Sequence, residues 1–291
     1  MSTTSTVDLD ARFRLGNALR IIERDRHAIV SIDTQHCRAE IAVQGAQVLS
    51  WRPAGQADLL WCAPLPPPDI GKAIRGGIPI CWPWFGPHAS DAGLPQHGLV
   101  RTAPWRLAET KAVADGILVA FEITEHGAEV RLEVIAGRLL SVALTTHNVG
   151  STPLIFTEAL HTYFQVGDID AIAVHGLDGC SYRDNTDGGR VKVWHGVCRM
   201  PSETIAVFDQ TPDVVEIVDP VLRRRVLIKR EGGLSTIVWH PGAAVGALQD
   251  VAAGTEKYFA CVESGNVGAS AVTIAPRAAH RLAVTYKIDA L

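Results

Sequence analysis

The sequence lacks the patterns that mark nucleic-acid-binding, zinc-binding and membrane-spanning proteins. It has no block of Lys and Arg, and its net charge is −4, so binding to a nucleic-acid backbone is not expected. Its six cysteines are scattered without a C-x-x-C pair, which argues against a thiolate zinc site and favours reduced thiols. Apolar runs of about 18 residues and an apolar leader segment are absent. We therefore expect a cytoplasmic protein that does not bind membranes.

The sequence also lacks the motifs of nucleotide- and cofactor-dependent enzymes. No Gly-rich phosphate loop, dinucleotide fingerprint, Ser nucleophile elbow or kinase motif is present. Two histidines at the His-x-x-x-His spacing of metal sites are also missing. The sequence therefore predicts neither a cofactor nor a bound metal.

Helical periodicity is scarce, whereas short β-branched runs between Gly, Pro, Asp and Asn are frequent. Such spacing predicts an all-β protein built as a large antiparallel sandwich, with one short helix near residues 255–257. The prolines at positions 64 and 66–68 are expected to end the third strand, since proline does not fit a central strand. The predicted strands cover residues 39–43, 48–51, 58–61, 117–124, 129–135, 139–148, 154–159, 214–218, 226–229, 234–239, 258–262, 271–274 and 282–288.

The domain organisation is predicted to be simple. All-β chains of 291 residues commonly fold as one unit, and we find no internal repeat or linker. We expect a polar, loosely ordered tail over residues 1–14 and one β-sandwich domain over residues 15–291.

Residues 72–101 concentrate special backbone and hydrogen-bond donors. Arg75 and Arg101 carry the planar fork that suits phosphate, and Gly76 and Gly77 let backbone approach a ligand closely. We interpret the segment as the wall of a pocket for a sugar-shaped anion. The alternative is that both arginines are surface residues paired with carboxylates.

Five other positions carry candidate chemistry. Gln96 and His97 suit hydroxyl recognition, and His161 is a natural general acid or base; the alternative for each histidine is a purely structural role. Glu158 lies three positions before His161, which suits one helical face or the corner at the end of a strand. Glu263 follows a predicted strand and precedes a Gly turn, a position that points a carboxylate into a cleft; the alternative is an exposed, solvated side chain.

Six stretches in the right order resemble the hexose-6-phosphate mutarotases of the aldose 1-epimerase superfamily. The first two are Arg-Gly-Gly-Ile-Pro-Ile-Cys-Trp-Pro-Trp-Phe-Gly and Gln-His-Gly-Leu-Val-Arg, and the resemblance spans about residues 15–290. The six stretches are residues 75–86, 96–101, 144–148, 158–164, 238–242 and 261–266.

The resemblance implies a galactose-mutarotase-like supersandwich of antiparallel sheets, with a small-molecule substrate and a monomeric state. It implies that His161 is the general acid and Glu263 the general base. The substrate-binding positions of the family fall on Arg75, Gln96, His97, Arg101 and Asp213. Relatives carry an Asp-Arg-x-Tyr-like run where this chain continues from Asp213 as Val-Val-Glu, and Asn where it has His240.

The activity implied is interconversion of the α and β anomers of a hexose 6-phosphate, glucose 6-phosphate first, by ring opening and reclosure. Two alternatives stay open. One is a mutarotase for unphosphorylated aldoses, and the other is a sugar-phosphate-binding module without turnover, because fold alone does not give function.

Overall fold

The computed structural model describes residues 5–63 and 69–291, so the predicted proline break at positions 64 and 66–68 lies outside the described residues. One helix, α1 (Thr6–Phe13), precedes the strands of the described chain. In chain order the strands are β1 (Leu19–Arg24), β2 (His27–Asp33), β3 (Cys37–Ala42), β4 (Gln47–Pro53), β5 (Ile80–Cys81), β6 (Arg106–Val113), β7 (Gly116–Glu125), β8 (Ala128–Gly137), β9 (Leu140–Asn148), β10 (Leu154–Phe156), β11 (Glu158–Leu160), β12 (Tyr163–Gln165), β13 (Ala173–His175), β14 (Ser181–Asp184), β15 (Arg190–Val193), β16 (Thr204–Phe208), β17 (Val214–Asp219), β18 (Arg224–Glu231), β19 (Ser235–His240), β20 (Phe259–Asn266), β21 (Val272–Ile274) and β22 (Ala279–Ala290).

Two large antiparallel sheets dominate the architecture, and we call them the front and back sheets. The front sheet has the order β15-β14-β16-β19-β20-β11-β5, with β12 paired to β20 beside that path. The back sheet has the order β13-β17-β18-β22-β9-β8-β7-β6. Strands β1 to β4 form a separate meander, and β10 pairs with β21. The all-β sandwich prediction is therefore confirmed.

The main core lies between the two sheets. Val262 of β20 and Val284 of β22 belong to one buried cluster, and the rings of Phe164 and Tyr286 lie 5.8 Å apart across the interface. Alternation along each strand decides which side chains enter this core, because successive residues point to opposite faces of a sheet. The other face of the front sheet is therefore available for a site.

The hairpin and the short helix predicted from the sequence are both present. Strands β7 and β8 pair in register around His126 and Gly127, whose φ angles of 50° and 74° make the turn. Near residues 255–257 the chain forms a 3-10 turn, Glu256–Tyr258. Within the described ranges no helix is long and apolar enough to cross a bilayer.

Two predicted strands differ from the structure. Residues 58–61 make only an isolated bridge, Leu60 with Phe164, because the Asp58 carboxylate accepts the backbone N–H groups of Trp51 and Leu60 and bends the chain. The run 154–159 is divided between β10 and β11 at Thr157, whose hydroxyl accepts the backbone N–H of Phe85 at 2.8 Å. In both places a side chain replaces a ladder hydrogen bond.

At the N-terminus, residues 6–13 form α1 where the sequence predicted a loosely ordered tail. Ser5 caps the helix by accepting the backbone N–H of Asp8 at 3.1 Å. The Phe13 side chain is buried against the core, and its carbonyl accepts the hydroxyl of Thr110. Leu9 also packs against the core, and the Asp10 carboxylate accepts the backbone N–H of Ile21 at 2.7 Å, so several contacts attach this short helix to the sandwich.

Candidate active site

The front sheet places Glu263 on its outer face, in the middle of β20. Phe259, Cys261 and Glu263 alternate with core-facing Val262, and Glu263 lies opposite Ile237 of β19. Glu263 is only 1% exposed. The sequence predicted a strand end and a Gly turn here, but β20 continues to Asn266. Gly265 is needed instead because any Cβ there would collide with the backbone of β11.

His161 follows β11 and faces Glu263. Its Nε2 lies 3.3 Å from Oε1 of Glu263, and its side chain is 9% exposed. Its backbone N–H donates to the carbonyl of Pro79 at 2.9 Å. The ring stacks on Tyr163 with centroids 4.8 Å apart and planes 11° apart, and Trp239 packs edge-on at 6.1 Å. Backbone and aromatic contacts thus hold the imidazole against the carboxyl group.

The electrostatics of this pair favour uncharged side chains. Burial raises the pKa of Glu263 well above its usual range. Burial also lowers the pKa of His161 well below its usual range, and His97, Arg75 and Arg101 act in the same direction. The favoured form of the free site is therefore a protonated carboxyl beside a neutral imidazole. The pair holds one proton, and moving it from oxygen to nitrogen gives a carboxylate base beside an imidazolium acid.

The two arginines of residues 72–101 lie close enough to His161 to lower its pKa, but they differ in their contacts. Arg75 donates from Nε to Oδ2 of Asp250 at 2.9 Å and from Nη1 to the Tyr163 hydroxyl at 2.9 Å. The Nε of Arg101 is buried, and no residue within 5–63 and 69–291 accepts its proton. A buried donor without an acceptor is costly, and an anionic ligand would satisfy it.

The Gly-Gly pair after Arg75 has a different role from the one predicted. Gly76 and Gly77 have φ angles of 106° and 64°. A Cβ at Gly77 would collide with the Val48 carbonyl, and a Cβ at Gly76 would collide with the backbone at residues 61 and 62. The glycines therefore let this segment lie against neighbouring backbone, and they act on a ligand only by placing Arg75.

His97 joins the cluster as a neutral ring, and Gln96 lies exposed beside it. Nδ1 of His97 accepts the backbone N–H of Gly86 at 3.2 Å, so the neutral ring carries its proton on Nε2. Its centroid lies 5.4 Å from that of His161. Burial, followed by Arg101 and Arg75, lowers the pKa of His97 to about 3. His97 is thus suited to donate a hydrogen bond to a hydroxyl and not to act as an acid.

Two other sequence candidates lie apart from this cluster. Asp213 is exposed just before β17, and its carbonyl accepts the backbone N–H of Arg230 at 2.7 Å; its sugar-binding role stays a prediction. His240 is the last residue of β19, its ring lies 5.8 Å from that of Phe259, and its Nε2 lies 3.0 Å from the Glu256 carbonyl.

The sequence analysis missed Tyr163 and Asp250, which both contact Arg75. Tyr163 had a detectable signal, since it lies two positions after His161 and therefore on the same face of an extended chain. Asp250 had none, because it is separated from Arg75 by 175 positions. Among the described residues, no group of three or more His, Cys, Asp and Glu side chains is arranged to hold a metal ion.

Comparison with known proteins assigns this chain to a family. The sequence profile of the aldose 1-epimerase family matches residues 28–287. An Escherichia coli K12 protein named "Putative glucose-6-phosphate 1-epimerase" is 35% identical over 82% of this chain and 83% of its own length. A crystal structure described as a "putative mutarotase" from Salmonella typhimurium superposes with a TM-score of 0.90 and 30% identity, covering 96% of each chain.

A more distant structure agrees on the fold. A galactose mutarotase-like protein from Clostridium acetobutylicum has a TM-score of 0.70 at 14% identity, over 95% of this chain and all of that one. The galactose-mutarotase-like fold implied by the sequence resemblance is therefore confirmed.

Proposed function

We propose that this chain, which belongs to the aldose 1-epimerase family and is an epimerase-type enzyme, interconverts the α and β anomers of a hexose 6-phosphate, glucose 6-phosphate first. The observation that carries the proposal is the juxtaposition of a one-proton His161–Glu263 pair with two arginines. One of these, Arg101, has a buried donor that an anion would satisfy.

The reaction needs one base, one acid and room for rotation. Glu263, as a carboxylate, removes the proton of the C1 hydroxyl, and His161, as an imidazolium, gives a proton to the ring oxygen. The C1–O5 bond breaks and leaves an open-chain aldehyde. Rotation about C1–C2 presents the other face of the carbonyl, and closure returns both protons in the reverse sense. No net proton is gained or lost.

The phosphate of the substrate has a second role in this scheme. The positive charges of Arg75 and Arg101 help to keep the pKa of His161 low. A phosphate carries about −1.5 to −2 charges at pH 7 and offsets them when it binds. The proton then moves from Glu263 to His161 across their 3.3 Å contact, which produces the base and the acid together. Binding of a phosphorylated sugar thus activates the pair.

The remaining groups hold the sugar while it opens. Arg75 and Arg101 anchor the phosphate, so the open chain stays bound during rotation. His97 donates from Nε2 to a ring hydroxyl, and Gln96 offers an amide at the exposed rim. The wall formed by residues 81–86 limits the motion of the ring.

The direct test is NMR exchange spectroscopy on α- and β-glucose 6-phosphate with catalytic amounts of protein. Acceleration of the exchange is expected. An unchanged exchange rate would refute the enzymatic proposal and leave the sugar-phosphate-binding module as the reading of this site.

Substrate class is tested by Arg101→Ala. Loss of this phosphate contact should raise KM for glucose 6-phosphate by about 10- to 100-fold, as expected for a charged hydrogen bond of about 1.5–3 kcal/mol, and leave KM for glucose nearly unchanged. Arg138→Ala, in the exposed turn between β8 and β9, is the matched control. Equal effects on both sugars would favour the mutarotase for unphosphorylated aldoses.

A further inference from the structure

Arg75 enters the site already oriented by two partners. Its Nε donates to Oδ2 of Asp250, and its Nη1 donates to the Tyr163 hydroxyl, each at 2.9 Å. Two contacts at different nitrogens fix both the position and the plane of a guanidinium. Asp250 lies in the loop between the 3-10 segments Gly242–Ala247 and Glu256–Tyr258, so this orientation depends on a segment far from Arg75 in sequence.

The two contacts leave one part of the guanidinium free. Arginine offers five N–H groups, and no residue in the described part of the chain accepts from Nη2 of Arg75. Its side chain is 25% exposed, so the free donors are accessible to a ligand. Arg101 has no hydrogen-bonded side-chain partner of this kind among the described residues. The pair thus combines one arginine oriented by two protein contacts with one whose buried Nε has no acceptor among the described residues.

We infer that Asp250 is a positioning residue for substrate recognition: it holds the guanidinium of Arg75 so that the free Nη2 side faces the phosphate of the sugar. The inference rests on the proposed function, since it assigns the phosphate to Arg75. The same carboxylate, if it occupied the anion site, would compete with phosphate. The two roles predict opposite effects on affinity, so a single substitution distinguishes them.

The effect of Asp250 should be confined to binding. Tyr163, which stacks on His161, is also held by aromatic neighbours: its centroid lies 6.0 Å from that of Trp61 and 5.6 Å from that of Phe259. These contacts do not involve the loop carboxylate. Removal of Asp250 should therefore loosen Arg75 and leave the His161–Glu263 geometry in place.

The experiment measures the steady-state kinetics of Asp250→Ala on glucose 6-phosphate and on glucose. KM for glucose 6-phosphate should rise about tenfold, in the range expected when a binding group loses its orientation, with kcat within about twofold of wild type. The inhibition constant of inorganic phosphate should rise by the same factor, because phosphate then binds more weakly. Asp250→Asn keeps an acceptor for Nε and should give an intermediate KM. The control is Asp170→Ala, which removes an exposed aspartate from a neighbouring loop. It should change neither KM for glucose 6-phosphate nor the inhibition constant of phosphate.

Other outcomes overturn the inference in distinguishable ways. A lower KM in Asp250→Ala would show that the carboxylate competes with phosphate, and an unchanged KM would show that Arg75 needs no such support. If Asp250→Asn were as impaired as Asp250→Ala, charge and not orientation would be the cause. If the wild-type protein turned over glucose and glucose 6-phosphate with equal KM and phosphate did not inhibit, the proposed substrate class itself would fail.

Discussion

Two histidine–carboxyl pairs lie on opposite faces of the same two strands, and they behave differently. On the outer face, Glu263 of β20 contacts His161, which follows β11. On the inner face, Glu158 of β11 contacts His280 of β22 at 3.0 Å and so links the front sheet to the back sheet. Both carboxyl groups are almost fully buried, but the side chain of His161 is 9% exposed and that of His280 is 22% exposed.

The difference lies in the burial of each histidine and in the other groups that surround each pair. Oε1 of Glu158 accepts from His280 and also from the side-chain amide of Asn266, each at 3.0 Å. The hydrogen bond to Glu158 raises the pKa of His280, although burial opposes it. No amide in the described part of the chain donates to Glu263, and burial, together with the nearby arginines, lowers the pKa of His161. The carboxyl partner raises the pKa of the more exposed His280, whereas burial, assisted by nearby positive charges, lowers the pKa of His161.

The largest expected effect is the loss of turnover in Glu263→Gln. Without the base, kcat should fall by about 10²–10⁴-fold. Stability should be unchanged or higher, because a carboxyl with a raised pKa costs folding free energy once the unfolded state ionises, and Gln removes that cost. NMR exchange and urea unfolding measure the two quantities, and His161→Asn should lose turnover similarly. Full activity in either variant would refute its role.

The second largest effect is a loss of stability without a loss of turnover. Glu158→Gln leaves His280 without the carboxyl partner that raises its pKa and should destabilise the fold by about 3 kcal/mol. The fraction of the Glu158→Gln protein that remains folded should keep kcat within a few-fold of the wild-type value. Urea unfolding at pH 6 is the measurement, with Glu129→Gln on the exposed surface as the control. A stable but inactive Glu158→Gln would mean that the two pairs are not functionally separate.

A smaller effect is the shape of the pH–rate profile. The pair must hold exactly one proton, so kcat/KM should fall both when a second proton binds and when the first is lost. Because the pKa of His161 is lowered and that of Glu263 raised, the two limbs should report the titration of the pair as a unit and not that of an ordinary glutamate and histidine. The second ionisation of the phosphate, near pH ~6, adds a limb that unphosphorylated glucose lacks. A flat profile would contradict the assignment.

The smallest effect is the pH dependence of stability from His280. The pKa of His280 is raised in the folded protein. Its protonation therefore stabilises the fold fully at pH values below the unfolded-state pKa of about 6.5. This stabilisation is lost as the pH rises through the pKa of the folded protein. The difference in unfolding free energy between wild type and His280→Gln should therefore shrink between pH 6 and pH 9. A difference that grows with pH would show that His280 is not held as a cation.

Local patterns predicted much of the fold. The alternation of residues 139–148 and the turn at His126-Gly127 predicted strands β7, β8 and β9 with ends within two residues of those observed. The prediction failed where side chains replaced ladder bonds, as Asp58 does, and where a glycine served close backbone packing instead of a turn, as Gly265 does. Neither situation leaves a periodic signal.

The site was predicted less directly. The roles of His161 and Glu263 came from resemblance to a family, because taken alone a single histidine and a single glutamate are more often structural or solvated. The sequence also left open whether Glu158 and His161 share a face. The structure places them on opposite faces, because three positions of nearly extended chain reverse the direction of a side chain.

The sequence by itself determined the all-β class and the candidate residues, because strand alternation and motif spacing are local properties of the chain. Only the tertiary structure decided which residues act on one another. The Arg75–Asp250 contact spans 175 positions and the Glu158–Asn266 contact spans 108, and such pairs meet only when the sheets are assembled. The ionisation of each pair follows from that assembly, since burial and neighbouring charges set a pKa.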